Sequence, residues 1–218
     1  MELVAKSGYS IYNAKAKKKT KINILEDLYP SLPDSKYSII YADPPWHYNG
    51  KMQYDKSATI NGNEGWKKDI FISGAAFEYP TIKTKEMMKL DVASISEKDS
   101  LLFMWATNPH LQQAIELGTA WGFDYKTVAF VWNKMNHNPG QYTLSYCELC
   151  LLFKRGRIPQ PRGARNIKQL LSVPRTYHSS KPDEVSTHII DMFPKQKRIE
   201  LFAREKRAGW DCWGLEAD

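Results

Sequence analysis

With 218 residues, 25.2 kDa and 42% hydrophobic side chains, the chain can bury one large core and is short for two independent domains. A formal net charge of +7, with 12% aromatic residues and seven tryptophans, counts against a cationic partner and suits nucleic acid, which offers phosphates and flat bases. Three cysteines, no apolar run of about twenty residues and no signal pattern at Met1 argue against a disulfide framework, a membrane span and secretion; a soluble, cytoplasmic protein is expected.

Residues 1–19 mix Ser, Gly and Asn with Lys15, Lys17, Lys18 and Lys19 and form a basic N-terminal arm. A single domain is expected over 20–218, with loop insertions at 47–80 and 154–176. Residues 22–28 suggest a short strand and turn, and 37–43 the first firm strand. That strand ends in Asp43-Pro44-Pro45-Trp46. The two prolines lack N–H groups and have fixed φ, so the chain leaves the sheet rigidly with free carbonyls. Asp43 and those carbonyls make a fixed cluster of acceptors for an amino group, and Trp46 offers a face for a base. Adenine's exocyclic amine meets both requirements. The bland alternative is a Pro-Pro turn with a core tryptophan; the apolar strand before the motif and a matching strand end late in the chain favour function.

Residues 47–80 show no sustained period, four glycines (Gly50, Gly62, Gly65, Gly74) and the aromatics Tyr48, Tyr54, Trp66 and Phe71, as a functional loop or lid would. A short helix is expected over 83–90, and the continuous apolar run 100–106 marks a strand buried on both faces. Thr107-Asn108-Pro109 opens a helix reaching about Trp121. Strands follow over 125–132 and 145–153, joined by a loop with Asn138-Pro139-Gly140. Cys147 and Cys150 lie three apart on the second of these, on opposite faces, and cannot hold one metal together; no metal site is expected.

The stretch 154–176 carries Lys154, Arg155, Arg157, Arg162, Arg165, Lys168 and Arg175 and no acid. Chain order places it near the binding crevice, so Lys154, Arg157, Arg162 and Arg165, with Tyr48 from the earlier loop, are candidate nucleic-acid contacts; a solvated basic loop is the alternative. Lys181-Pro182-Asp183-Glu184 starts a helix to about Met192, with proline and acids in the favoured first turn. The last firm strand is 198–203, and 209–214 closes the chain. Alternating strands and helices give an α/β layered sheet with its crevice at the carboxyl ends of the strands. Asp43 and Phe202-Ala203-Arg204 stand at two such ends.

Five segments now stand in order: Ala42-Asp43-Pro44-Pro45-Trp46, Leu102-Phe103-Met104-Trp105-Ala106-Thr107-Asn108, His178-Ser179-Ser180-Lys181-Pro182-Asp183-Glu184, Lys197-Arg198-Ile199-Glu200-Leu201-Phe202-Ala203-Arg204 and Gly209-Trp210-Asp211-Cys212-Trp213-Gly214. On these the chain resembles the adenine-N6 methyltransferases of the D-P-P-W group, which includes the catalytic subunit of the eukaryotic messenger-RNA adenosine methyltransferase and small stand-alone bacterial and phage enzymes. The resemblance implies a Rossmann-like class I methyltransferase fold: a doubly wound, mostly parallel seven-stranded sheet in permuted order, the catalytic strand preceding the cofactor strand. It implies S-adenosylmethionine as cofactor, bound without a glycine-rich loop.

Asp43, Pro44, Pro45 and Trp46 form the implied catalytic set, with the Asp43 carboxylate and Pro44 carbonyl taking the two amine hydrogens and a duplex base flipped out first. Lys181 is implied to meet the methionine carboxylate, Asp43 the cofactor's amino group, Glu200, Phe202 and Arg204 the ribose and site wall, and Asn23 and Ile24 the adenine. After Trp213-Gly214 the family carries Asn and a polar residue where this chain has Leu215-Glu216. Either Glu216 makes the ribose contact or cofactor affinity is reduced. His178 serves equally as a capping or packing residue and is left out of the set. The implied reaction is methylation of adenine N6 in DNA; the same reaction on RNA, or a non-catalytic nucleic-acid-binding subunit, are the alternatives. The intact acceptor cluster opposes the last, and the compact chain favours DNA. The resemblance also implies a bacterial or phage source and, since relatives often work as dimers, allows a homodimer; with no apolar run long enough to span a bilayer, no membrane partner is expected.

Overall fold

The computed structural model describes residues 25–47, 81–138, 142–175 and 180–215. Asn23, Ile24, Tyr48, His178, Glu216, the basic arm and nearly all of the 47–80 loop lie outside them. The chain divides into two compact units, Met1–Asn23 with Pro45–Lys83, and Ile24–Pro44 with Thr84–Asp218.

In the first unit, Trp46 forms an isolated parallel bridge with Ile82. The Ile82 N–H donates to the Pro45 carbonyl at 2.8 Å, and His47 Nδ1 lies 2.9 Å from Thr81 Oγ1. The Pro45 carbonyl is therefore engaged, where a free acceptor was expected, and Trp46 is buried.

The second unit is a seven-stranded sheet with strands β1 (Tyr37–Ala42), β2 (Ser96–Ala106), β3 (Asp124–Asn138), β4 (Ser145–Arg155), β5 (Leu170–Ser172), β6 (Arg198–Leu201) and β7 (Asp211–Trp213), in the order β5-β3-β4-β2-β1-β6-β7. β1 pairs in parallel with β2 and β6, β3 with β5, and β6 with β7; β4 alone runs antiparallel to its neighbours β2 and β3. The mostly parallel α/β sheet expected from the sequence is thus the architecture.

β1 and the second half of β2 are buried almost throughout, as central strands covered on both faces must be. Helix α1 (Leu25–Leu28) stands where a strand and turn were expected, and α2 (Thr84–Met87) is shorter than the sequence suggested. α3 (Leu111–Ala120) follows a 3-10 turn over Asn108–His110 that carries the expected proline. Gly118 lets α3 lie close on the sheet, since a Cβ there would sit 2.3 Å from the Phe153 ring. α4 (Asp183–Met192) buries Val185, Ser186 and Ile189 against a core that includes Tyr41, Phe103, Trp105, Phe130 and Phe193. Each large apolar side chain buried in this way stabilises the fold by about 1.5–3 kcal/mol.

Candidate active site at the carboxyl end of the sheet

β1 is held on both sides as far as its last residue, Ala42, which pairs with Met104 and Leu201. Asp43 is the next residue, so its carboxylate stands on a rigid base at the crevice. Two cations from separate elements converge on it. Lys181, just before α4, places Nζ 3.0 Å from Asp43 Oδ1, and Arg204, just after β6, places a guanidinium nitrogen 3.7 Å from Oδ2. Arg204 reaches back because Phe202 adopts a left-handed φ of 62°, which costs a non-glycine residue of order 1–3 kcal/mol and clusters at functional sites. The Phe202 ring is buried among Tyr29, Trp121 and Trp213, so it braces the turn by packing.

Lys181 lies over Trp105, 5.6 Å from the ring centroid, and Trp105 is fixed by donating its indole N–H to the Tyr41 hydroxyl at 2.6 Å. A second carboxylate, Glu148, holds the same lysine at 3.3 Å through Oε2 and holds Lys134 at 3.3 Å through Oε1. Burial works to raise the Glu148 pKa, but Lys181 and Lys134 outweigh it and hold the group below its ordinary value. Charges therefore alternate across the crevice from Lys134 to Glu148, Lys181, Asp43 and Arg204. Such a set fits the zwitterionic end of an amino acid, a carboxylate against Lys181 and an ammonium against Asp43.

Glu200, on β6, was expected to line the site; it is buried and paired with Arg207, whose Nε lies 2.9 Å from Oε2. Arg207 also donates to Ser186 Oγ at 3.1 Å and to Asp183, tying the start of α4 to β6. Burial pushes the Glu200 pKa up, and Arg207 partly offsets this. Burial also pushes up the Cys150 thiol, with Asp43 adding to the effect, so Cys150 serves as core. Among the described residues no group of three or more His, Cys, Asp or Glu is placed to hold a metal ion.

The basic stretch lies elsewhere than chain order suggested. Because β4 runs antiparallel, it ends at the edge of the sheet away from the crevice: Arg155 pairs with Ser100, and the Arg157 N–H donates to Asp99 at 2.8 Å. Lys154 sits within β4 itself, opposite Leu101 and Asp124. The chain then packs on the far end of α4, with the N–H groups of Gly163 and Ala164 donating to Met192 and Asp191. The Arg162 guanidinium covers the Phe193 ring at 5.5 Å, and Arg165 follows at this end. None of Lys154, Arg157, Arg162 and Arg165 is thus brought to Asp43; only Arg175, after β5, comes back toward the crevice end.

Comparison with known proteins agrees with this geometry. A family model described as MT-A70 matches residues 37–216. The chain belongs to the MT-A70 family. It is 60% identical over 210 residues to the type II methyltransferase M.MunI of Mycoplasma sp, covering 96% of this chain and 90% of that protein. It is 27% identical to the N(6)-adenosine-methyltransferase subunit METTL3 of Danio rerio, over 84% of this chain and 28% of that protein, and 27% identical to an MT-A70-like N(6)-adenosine-methyltransferase of Arabidopsis thaliana, over 80% of this chain and 23% of that protein. The protein is therefore a methyltransferase of the MT-A70 family. Within this MT-A70 sheet, the sequence singled out Asp43, Lys181, Glu200 and Arg204 but missed Glu148, Lys134 and Arg207. Glu148 sits between apolar residues in a strand-like run, and its only sequence signal was an acid in an otherwise uncharged segment, 145–153.

Proposed function

We propose that the chain transfers a methyl group from S-adenosylmethionine to the exocyclic N6 amine of adenine in DNA. The observation that carries this reading is the Asp43 carboxylate, fixed at the end of a central parallel strand and flanked by Lys181 and Arg204. When bound, the cofactor supplies an electrophilic methyl group on a sulfonium centre. Lys181 would hold its carboxylate and Asp43 its ammonium, with Glu200, Arg204 and the segment ending in Leu215 toward the ribose. Leu215 offers no hydrogen bond, so the hydroxyls fall to other groups. The Asp43 carboxylate and Pro44 carbonyl would accept the two amine hydrogens, which draws the nitrogen lone pair out of conjugation and aims it at the methyl group. No base with a shifted pKa is needed beforehand, because the proton can leave after transfer. The Pro45 carbonyl, already bonded to Ile82, is left out of this step.

The name of the 60%-identical relative favours DNA, since type II designates the modification enzymes of restriction systems, whereas the distant relatives are named for adenosine N6. The chain's net charge of +7 suits either polymer. Methyl transfer from labelled S-adenosylmethionine is to be measured on duplex DNA, single-stranded DNA and RNA, with the methylated base identified by mass spectrometry. N6-methyladenine in DNA is expected. Label on another base or position, or no transfer to any of the three, would overturn the proposal.

A further inference from the structure

Two charged side chains lie deep beside the crevice and have no part in the reaction scheme above. Lys134 is 1% exposed, and a lysine is scarcely ever so buried without a counter-charge. It meets Glu148 Oε1, while Glu148 Oε2 meets Lys181, so one carboxylate divides its two oxygens between two ammonium groups. Lys181 in turn lies between Glu148 and Asp43, at 3.3 and 3.0 Å.

An ammonium on a four-carbon stem has no geometry of its own. Paired with Asp43 alone, it would settle on the oxygen that the reaction needs as an acceptor. A second carboxylate on its other side divides that attraction. We propose that Glu148, held charged and in place by Lys134, is a positioning residue that fixes the Lys181 ammonium at the distance from Asp43 at which it can receive the cofactor's carboxylate. This rests on the assignment of Lys181 as a cofactor contact.

A pair that served only to join β3 to β4 would engage one carboxylate oxygen, and an apolar pair of similar volume would serve that purpose as well or better. Here the second oxygen is spent on Lys181, which belongs to neither strand. The arrangement also depends on the one antiparallel strand: Glu148 lies near the start of β4, and only because β4 is reversed does its start reach the end of the sheet where Asp43 stands.

Removing Glu148 alone would strand Lys134 in the core, so the test uses the pair Lys134→Met/Glu148→Gln, with Lys181→Ala, in a double-mutant cycle read by calorimetric binding of S-adenosylmethionine and by thermal unfolding. The paired variant is expected to unfold within a few degrees of the unaltered chain and to weaken cofactor binding about tenfold, within the range for contacting groups of one network. In the Lys181→Ala background the same pair should have no further effect. Additive losses, or unchanged affinity in the paired variant, would overturn the inference while leaving Lys181 as a cofactor contact. Unchanged affinity in Lys181→Ala, or no binding by the unaltered chain, would overturn the assignment of Lys181 and the inference together.

Discussion

Replacing Arg207 by Met would leave the Glu200 carboxylate inside the protein without its counter-charge. Glu200 and Arg207 expose 12% and 18% of their side chains, and breaking a buried pair from one side costs about 3–5 kcal/mol. The rim position and the exposed Asp183 partner argue for the lower figure, about 3 kcal/mol, which in a domain of this size is about 6–12 °C of thermal midpoint. The pH dependence has a definite sign. Burial already raises the Glu200 pKa and Arg207 opposes that rise, so the variant carboxyl should titrate higher still. A carboxyl whose folded pKa lies above its unfolded value is accommodated when protonated, and stability falls as pH rises through the folded pKa. The variant's deficit should therefore be smaller at acid than at alkaline pH in urea unfolding followed by circular dichroism. Arg207→Lys should recover part of it. An equal deficit at acid and alkaline pH would refute the argument, because lost packing of the arginine stem does not titrate.

Asp43→Asn should keep the fold and lose nearly all methyl transfer, since one acceptor oxygen becomes an N–H donor; turnover near that of the unaltered chain would remove Asp43 from the chemistry. Gly214→Ala should lower both the thermal midpoint and cofactor affinity, because the added Cβ would sit 1.8 Å from the Ala203 carbonyl and force apart the segments carrying Arg204 and Leu215; calorimetry and thermal unfolding check both. Arg165→Gln should leave the slope of log affinity against log salt for DNA unchanged, whereas loss of a phosphate contact would make it shallower by ~0.7–0.9; a shallower slope would bring the far end of α4 into contact with nucleic acid.

The central strands were legible because burial on both faces leaves continuous apolar runs, as in 37–42 and 101–106, and the start of α4 because proline and acids mark a first turn. β3 runs to Asn138, beyond the expected end at 132, where it still pairs with β4: Lys134 is buried there through its pair with Glu148 and Met135 to His137 are exposed, so the apolar signal stops before the strand does. β5 and β7, three residues each, are too short to show a period and form only because β3 and β6 offer a template. The position of the basic stretch was misjudged for a related reason. Nothing local in 145–153 states strand direction, and one reversed strand delivers the residues that directly follow it to the opposite end of the sheet. Glu148 was missed because its meaning lies in a contact with Lys181, more than thirty residues downstream, and Lys134 because its meaning lies in its pair with Glu148.

The place of β1 between β2 and β6 also governs the order in which the protein can assemble during synthesis. Ile39 to Ala42 pair with residues near 101–104 on one side and with 198–201 on the other, so the strand that leads into Asp43 keeps an open edge until residues 198–201 have emerged from the ribosome. The β3–β4 hairpin can close at once, because its partners are close in sequence. An unprotected central strand invites pairing with other chains. Amide exchange at Ile39 to Ala42 is accordingly expected to be fast in nascent chains halted before Lys197 and slow in the finished protein, which makes the last strands to be made the ones that switch the site on.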